Sequence, residues 1–351
     1  MISLANKRYS PIGVDIGSSS IKFVQMSRDR NTVVHAARWD LHGHDADGDA
    51  VQESDVVLDA LSKGLDSRRF YGRDAVVCLG AGNLFVQNIR LANSPDVDLA
   101  GAVRQEAQGK LPFPVDEAEL RYLEAADVRH GDSMRREIIL MACHRQRLES
   151  FLKPIFEVGL RPIAVDTEPN ALLRSYTAQF RRSHDQDCCS MLVNIGASET
   201  LVVIARGESP LFVKYLDLGG GLMDEAVARG LDMDLPAAAM LRLHNGDRRR
   251  DQQDPEMIAT IQQALRPVYD RICSELSLCV RYYGVTFRQQ PLSRVIISGG
   301  EASEELVEWL GHRLGLPCQL GDPFRGLKDS GETRRRSQWS IATGLALREE
   351  S

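Results

Sequence analysis

Two stretches of the chain carry the same order of apolar and polar positions. The first is Ile12-Gly13-Val14-Asp15-Ile16-Gly17-Ser18-Ser19-Ser20-Ile21-Lys22-Phe23-Val24. The second is Met191-Leu192-Val193-Asn194-Ile195-Gly196-Ala197-Ser198-Glu199-Thr200-Leu201-Val202-Val203. Each reads as an apolar strand, a polar residue, a glycine turn of small residues and a second apolar strand. Such a hairpin leaves backbone N–H groups free at its tip, where they can hold phosphate oxygens. Two copies far apart in one chain predict two related lobes that close on one nucleotide, whereas a single glycine-rich turn predicts almost nothing.

The pattern around each copy extends the duplication. Strands are predicted over 12–16, 21–26 and 32–39, then a helix over 56–65 and a strand over 75–79. The second copy repeats the three strands over 190–195, 200–206 and 211–216. Between them lies a block with its own order: strand 85–91, helix 97–111, strands 119–125 and 137–143, and an amphipathic helix 147–158. A strand over 162–166 and a helix over 169–180 return to the first lobe, and a polar hinge over 181–187 leads to the second. The apolar stripe from Met257 to Tyr283 is the strongest helical pattern, and Pro267 should kink or split it. Within it, the Tyr282-Tyr283 pair is expected to pack in the core rather than stack on a ligand. A strand over 294–298, helix 303–314, a Gly- and Arg-rich loop and helix 338–349 end the chain.

Composition narrows the class. At 351 residues, 43% hydrophobic and 26% charged, the chain suits a soluble protein of two or three domains. The net charge of −6 argues against a nucleic-acid binder. No apolar run approaches the roughly 18 residues of a membrane span, so no direct membrane insertion is expected. The seven cysteines are odd in number and form no C-x-x-C pair, as expected of reduced core thiols. Asp45-x-Asp47-x-Asp49 resembles the start of a calcium loop, but Ala50 stands where the glycine belongs and Val56 where the closing Glu belongs. A solvated loop containing His42 and His44 is the reading taken.

The duplicated hairpins, Gly299-Gly300 after a strand, and the terminal Ala342-Thr343-Gly344-Leu345-Ala346-Leu347-Arg348 together resemble the actin-like ATPase superfamily. Within it the chain resembles the PilM family of type IV pilus assembly. That narrower likeness rests on Val14 to Lys22, Gln105-Glu106-Ala107 leading to Leu111-Pro112-Phe113-Pro114, and Gly159-Leu160-Arg161-Pro162. Leu218-Gly219-Gly220-Gly221 and Gly321-Asp322-Pro323-Phe324 complete it, and it spans Pro11 to Arg348. The resemblance implies an α/β actin-like ATPase fold: two duplicated lobes of mixed sheets flanked by helices, with an FtsA-like inserted subdomain. It divides the chain into a first lobe (10–84, 162–187, 337–351), an inserted subdomain (85–161), a second lobe (188–222, 293–336) and a helical subdomain (223–292). It also implies that ATP or ADP with Mg²⁺ binds between the lobes.

The same resemblance assigns roles. Asp15 is the metal candidate, since a hard cation takes carboxylate oxygen; the plain alternative is a turn cap. Gly17, Ser18, Ser19 and Ser20 form the first phosphate loop, and Gly196, Ala197 and Ser198 the second. Lys22 either adds charge there or is an exposed strand lysine. Asn194 departs from the family, which usually has Asp there, and brings no charge for a metal. Arg242 and Ala239 replace a family Lys and Glu that face the nucleoside. Gly219, Gly220, Gly299, Gly300 and Glu301 line the remaining wall; the Gly299-Gly300 pair reads equally as a tight strand–helix turn. Glu168 stands where relatives place a water-orienting group, or is a helix-start Glu favoured by the helix dipole. These departures point to ATP binding with weak or absent hydrolysis.

The expected partners are the N-terminal cytoplasmic peptide of a PilN-like inner-membrane protein and other pilus-assembly components, with self-association possible. The peptide is expected near residues 85–161, and the protein in the cytoplasm, recruited to the inner membrane through partners. Two other readings stand beside this one. A small-molecule kinase of the superfamily would need a catalytic carboxylate beside a substrate hydroxyl, and none is evident. An FtsA-like filament protein would end in an amphipathic membrane helix, and the chain stops at Ser351 after its last core helix.

Overall fold

The computed structural model describes residues 8–41, 53–92, 98–131, 133–180, 187–247, 254–287, 291–329 and 333–349. The Asp45-x-Asp47-x-Asp49 run, His42, His44 and most of the predicted 181–187 hinge lie outside the described residues.

The duplicated pattern folds into two sheets of one topology. The first holds β1 (Ile12–Ile16), β2 (Ser20–Met26), β3 (Val33–Asp40), β4 (Asp74–Leu79) and β8 (Arg161–Thr167), in the order β3-β2-β1-β4-β8. The second holds β9 (Cys189–Ile195), β10 (Thr200–Arg206), β11 (Ser209–Leu216), β12 (Leu292–Ser298) and β13 (Cys318–Leu320), in the order β11-β10-β9-β12-β13. In each, three strands meander antiparallel and two join parallel on the far side. β1, β4, β9 and β12 are apolar on both faces because each sheet is covered on both sides. β13, three residues long, was not foreseen; it is too short to show a period and exists because β12 offers a parallel edge.

One face of the first sheet is covered by α1 (Glu53–Asp66) and α3 (Arg145–Glu157). Between the sheets lie α4 (Glu168–Thr177) and α9 (Ser340–Ala346). The second sheet is backed by α5 (Gly220–Leu231), α6 (Leu235–Asp247), α7 (Pro255–Thr286) and α8 (Glu304–Leu314). α7 is one continuous helix through Pro267, neither split nor interrupted. The proline costs one backbone hydrogen bond, and a stripe of buried Ile261, Leu265, Tyr269, Ile272, Leu276, Cys279 and Tyr283 outweighs it. Tyr283 is in the core as expected, but Tyr282, a hundred degrees around the helix, is 36% exposed. The last helix is shorter than the predicted 338–349: it is preceded by a 3₁₀ turn, Arg336–Trp339, and ends at Ala346 with Leu347 as its cap.

The insertion is a three-stranded sheet, β5 (Phe85–Ala92), β6 (Ala118–His130) and β7 (Ser133–His144) in the order β5-β7-β6, with α2 (Leu99–Gln108). β6 and β7 run longer than 119–125 and 137–143, because the hairpin resumes past a register shift between Glu124 and Ala126 and pairs on to His130–Ser133. Helix α3, placed by sequence inside 85–161, packs its Ile155 and Leu152 into the first-lobe core instead. The chain must return there to form β8. The inserted sheet leans on the second lobe: the Asn88 amide donates to the Val213 carbonyl (2.7 Å) and accepts from the Val213 N–H (3.3 Å). This satisfies part of the outer edge of β11, which has no strand beyond it. Arg90 reaches from β5 to Thr286 Oγ1 (2.9 Å) and lies over the Tyr282 ring on α7.

Two glycines let α9 approach its neighbours backbone to backbone. A Cβ on Gly344 in α9 would sit inside van der Waals contact of the Ala171 carbonyl in α4. One on Gly13 in β1 would strike the Ala342 carbonyl and the Ala346 N–H. Backbone cannot yield as a flexible side chain can. Gly344→Ala is therefore expected to destabilise the protein by at least about 2 kcal/mol, read from urea denaturation; an unchanged midpoint would show that the helices can separate freely.

Candidate functional site

The two hairpin turns are built alike. Gly17 N–H donates to the Ser20 carbonyl (3.1 Å), and Gly196 N–H to the Glu199 carbonyl (2.8 Å). Ser18, Ser19 and Ser198 are exposed at the tips, and Ala197 is partly so. The Ser20 side chain is buried as β2 begins. Pairing register makes the difference between the two copies plain. Asp15 pairs across the strands with Lys22, and Asn194, its counterpart, pairs with Leu201. Lys22 is not the exposed strand lysine of the alternative reading. It is buried, with Nζ 3.3 Å from Asp15 Oδ2. The first hairpin thus carries a buried ion pair; the second carries a neutral amide beside a buried leucine. Loss of the anion at 194 goes with the lack of a cation at 201, so neither charge is stranded. The Asn194 amide oxygen accepts from Ser298 Oγ at 3.4 Å.

The glycine turns close around the second hairpin. A Cβ on Gly219 would meet the Ala197 carbonyl, and Gly220 and Gly221 donate N–H groups to the Gly196 and Ala197 carbonyls (3.0 and 2.8 Å). Gly299, at φ +100°, lies against the Ile195 backbone, where no side chain fits. Its N–H donates to the Ser337 carbonyl, and the Glu301 N–H donates to the Ile195 carbonyl (3.2 Å). Gly299 is thus both a tight turn and a close approach. The neighbouring Gly300 has open space at its Cβ position.

Arg242, expected to face a nucleoside, is engaged already. Its Nε donates to Asp224 (2.6 Å) and its Nη1 to Glu301 (2.5 Å). The three side chains are 10–18% exposed, and the Glu301 carboxylate lies where a Cβ on Gly220 would be. Asp224 was not foreseen; it stands on α5 and Arg242 on α6, and only helix packing brings them together.

Glu168, the first residue of α4, sits between the lobes. It accepts from the Tyr215 hydroxyl (3.0 Å), which reaches across from β11. Gly80 leaves the space its carboxylate fills. Burial pushes its carboxyl up to about 8, and the nearby Asp15 and Glu199 carboxylates push in the same direction. Asp15 and Glu199 belong to the two different hairpins, so Glu168 borders both turns at once. Cys78 on β4 lies in the same field; burial first, then Asp15, Glu168 and Asp166 raise its thiol well above the usual range, so it is no nucleophile. Tyr215 and Gly80 escaped sequence reading. Gly80 directly after a strand was a usable signal; Tyr215 had none, since its role exists only once the lobes meet.

Nothing bound is needed to judge the fit of a nucleotide. The hairpin tips are exposed, Gly219 and Gly299 have no room for a Cβ, and the Asp15–Lys22 ion pair lies at the first hairpin, whereas the second carries Asn194 and Leu201 at the same register. Among the described residues, no group of three or more His, Cys, Asp or Glu side chains is placed to hold a metal by itself. No described helix is long and apolar enough to cross a membrane.

Two lobes of duplicated sheet topology, each with its own glycine hairpin and joined by two helices, define the actin-like ATPase fold, a nucleotide-binding fold. Solved structures share it. One described as the PilM-PilN type IV pilus biogenesis complex covers 96% of this chain and 98% of that chain, with 24% identity and a TM-score of 0.78. MreB5 of Spiroplasma citri bound to ADP covers 97% and 95%, with 10% identity and a TM-score of 0.52. Ta0583, an archaeal actin homolog, covers 96% and 98%, with 13% identity and a TM-score of 0.51. The family described as type IV pilus assembly protein PilM matches residues 13–350, and the chain belongs to that family.

The folded protein keeps a proton on Glu168 that the unfolded chain, with an ordinary value of 4.5, has released by neutral pH. Stability from this group is therefore greatest below pH 4.5 and is lost as pH rises through about 8. Glu168→Gln is expected to flatten the decline in thermal stability between pH 5 and pH 9. An identical pH profile in both proteins would show that Glu168 ionises freely.

Proposed function

We propose that this protein is a cytoplasmic nucleotide-binding scaffold of the type IV pilus inner-membrane platform. It binds ATP or ADP between its lobes, and the N-terminal cytoplasmic peptide of a PilN-like membrane protein on the inserted subdomain. Recruitment to the inner membrane follows from that contact. The observation that carries the reading is the pair of like-built glycine hairpins, at Gly17 and Gly196, in a chain of the PilM family.

In this reading Ser18, Ser19, Ala197 and Ser198 offer backbone N–H groups to phosphate oxygens. Lys22 supplies the positive charge beneath the first turn, and Asp15 is the residue that would hold Mg²⁺. The ion supplies charge neutralisation for the phosphates when bound. Asn194 contributes hydrogen bonds but no charge. Gly219, Gly220, Gly299 and Gly300 admit the nucleoside close to backbone, with Arg242 and Glu301 as its side wall. Glu168, protonated at neutral pH, is a poor base for water. Hydrolysis is therefore slow, and the nucleotide acts mainly to hold the lobes together. For the peptide, Leu111 and Phe113 are half-buried while Pro112 and Pro114 are exposed. Phe113 stacks edge-on with His144 (5.3 Å between centroids), which gives the segment a fixed apolar face.

Removing Asp15 alone would leave Lys22 buried and unpaired, a cost of about 3–5 kcal/mol. The paired substitution Asp15→Asn with Lys22→Leu copies the neutral second hairpin and avoids this. Calorimetric titration with Mg-ATP is expected to show binding by the native protein, at least about tenfold weaker in the double variant, as loss of charged phosphate contacts of about 1.5–3 kcal/mol requires. Phosphate release followed in parallel is expected to stay near background. Equal affinity in both proteins would remove the first hairpin from the site. For the partner, Phe113→Glu is expected to abolish binding of the PilN-like peptide while leaving Mg-ATP binding intact; retained peptide binding would place its site elsewhere.

A further inference from the structure

The two hairpins differ in more than Asp15 and Asn194. On β10, Leu201, Val203 and Ala205 face the core between the lobes. Side chains on one face of a strand recur every second residue, so Glu199 continues that series at the hairpin turn. On β11, Val213 and Tyr215 face the same core, and Asp217 continues theirs. The ladder pairs Leu201 with Tyr215 and Thr200 with Leu216, which sets Glu199 opposite Asp217. Two carboxylates therefore meet at the cleft end of the second sheet, next to the exposed tip at Ser198. The Glu199 backbone is fixed there, because its carbonyl closes the turn by accepting from the Gly196 N–H (2.8 Å).

The first lobe carries a different set at the same places. In the duplicated register Ser20 takes the place of Glu199, Lys22 that of Leu201, Arg38 that of Tyr215 and Asp40 that of Asp217. There each carboxylate has its own cation. Lys22 Nζ lies 3.3 Å from Asp15, and Arg38 Nη2 lies 2.5 Å from Asp40. In the second lobe both cation positions are neutral. Among the described residues no Lys or Arg forms an ion pair with Glu199 or Asp217. The first set is balanced; the second holds two unpaired negative charges.

Like charges directly opposite across a ladder are destabilising. Glu199 is half-buried, and burial first, then Asp217, raise its carboxyl above its ordinary value. The same carboxylate acts on Glu168 at the centre between the lobes. Its field therefore reaches into the cleft and is not spent on solvent alone. A triphosphate differs from a diphosphate by one phosphoryl group, which brings added negative charge. In a cleft partly shielded from water that charge is repelled more strongly than in bulk solvent.

We infer that Glu199, with Asp217 opposite it, makes the cleft select a nucleoside diphosphate over the corresponding triphosphate. The inference rests on the nucleotide-binding reading given above. Lys22 and the first turn hold phosphate oxygens without opposition. The second turn offers N–H groups at Ala197 and Ser198 but sets a carboxylate directly after them. A third phosphoryl group gains hydrogen bonds there only against repulsion.

The test titrates the full chain calorimetrically with ADP and with the non-hydrolysable triphosphate AMP-PNP, at one fixed Mg²⁺ concentration. The native protein is expected to bind ADP more tightly. Glu199→Gln keeps the size and removes the charge, and Glu199→Ser copies the side chain at the same place in the first hairpin. In both variants the affinity for AMP-PNP relative to ADP is expected to rise at least about fivefold. The difference from the native protein is expected to shrink as salt is raised. Asp217→Asn, at an exposed position, is expected to move the ratio the same way and serves should the Glu199 variants misfold. Three results would overturn the proposal and leave nucleotide binding standing: an unchanged ratio in folded variants, an equal gain for both nucleotides, or a native preference for AMP-PNP. Binding of neither nucleotide by the native protein would overturn both.

Discussion

The crossing of α4 and α9 is the constraint on which the rest of the structure depends. The two helices touch backbone to backbone at Ala171 and Gly344, and Gly13 lets α9 lie equally close to β1. Around that contact Asp166 gathers Arg174 (2.9 Å) and Arg348 (2.8 Å), and Arg174 also donates to the Gly344 carbonyl (2.8 Å). A single core spans both lobes here. It joins Val76 and Cys78 of the first sheet to Leu192, Leu201 and Val203 of the second through Leu172, Tyr176, Ile341 and Leu345. Since Glu168 begins α4, the same crossing fixes where its carboxyl meets both hairpins.

Within that frame the two hairpins are alike in backbone and unlike in charge. Asp15 and Lys22 keep a buried ion pair on one side of the cleft, whereas Asn194 and Leu201 hold the same register without charge. A buried ion pair contributes little net stability against an apolar pair of similar size, so its retention on one side alone fits a role in ligand binding. The neutral side is compensated in packing: Leu201 belongs to the inter-lobe core. The side wall is also committed. Arg242 is tied to Asp224 and Glu301, which links α6 to α5 and to the turn after β12. Acidic groups that would otherwise repel each other across this wall are held by one guanidinium.

The insertion adds a further restraint. Its sheet grows from the first lobe and yet bonds to Val213 and, through Arg90, to Thr286 of the second. Tyr215, on the same strand as Val213, reaches Glu168. β11 therefore takes contacts from the insertion at Val213 and from the inter-lobe centre at Tyr215.

The duplicated strands were legible in the sequence because short apolar runs, broken by glycine turns and repeated in the same order, leave few alternatives. Gly17 and Gly196 were legible as the turns of that pattern, and a Cβ on Gly219 or Gly299 would strike backbone. The sequence also announced the departure at Asn194. It did not announce the neutral partner Leu201, the burial of Lys22, the grip on Arg242 or the meeting of Glu168 with Tyr215. Nor did it show that α3 packs with the first lobe. Each of these depends on groups that only folding brings together, from seven residues apart for Asp15 and Lys22 to fifty-nine for Arg242 and Glu301. Local pattern determined which strands and turns form, because it reflects which face of each segment must leave water. The charges and protonation of the site were decided by tertiary structure, because burial and electrostatic fields belong to the assembled core and to no single segment.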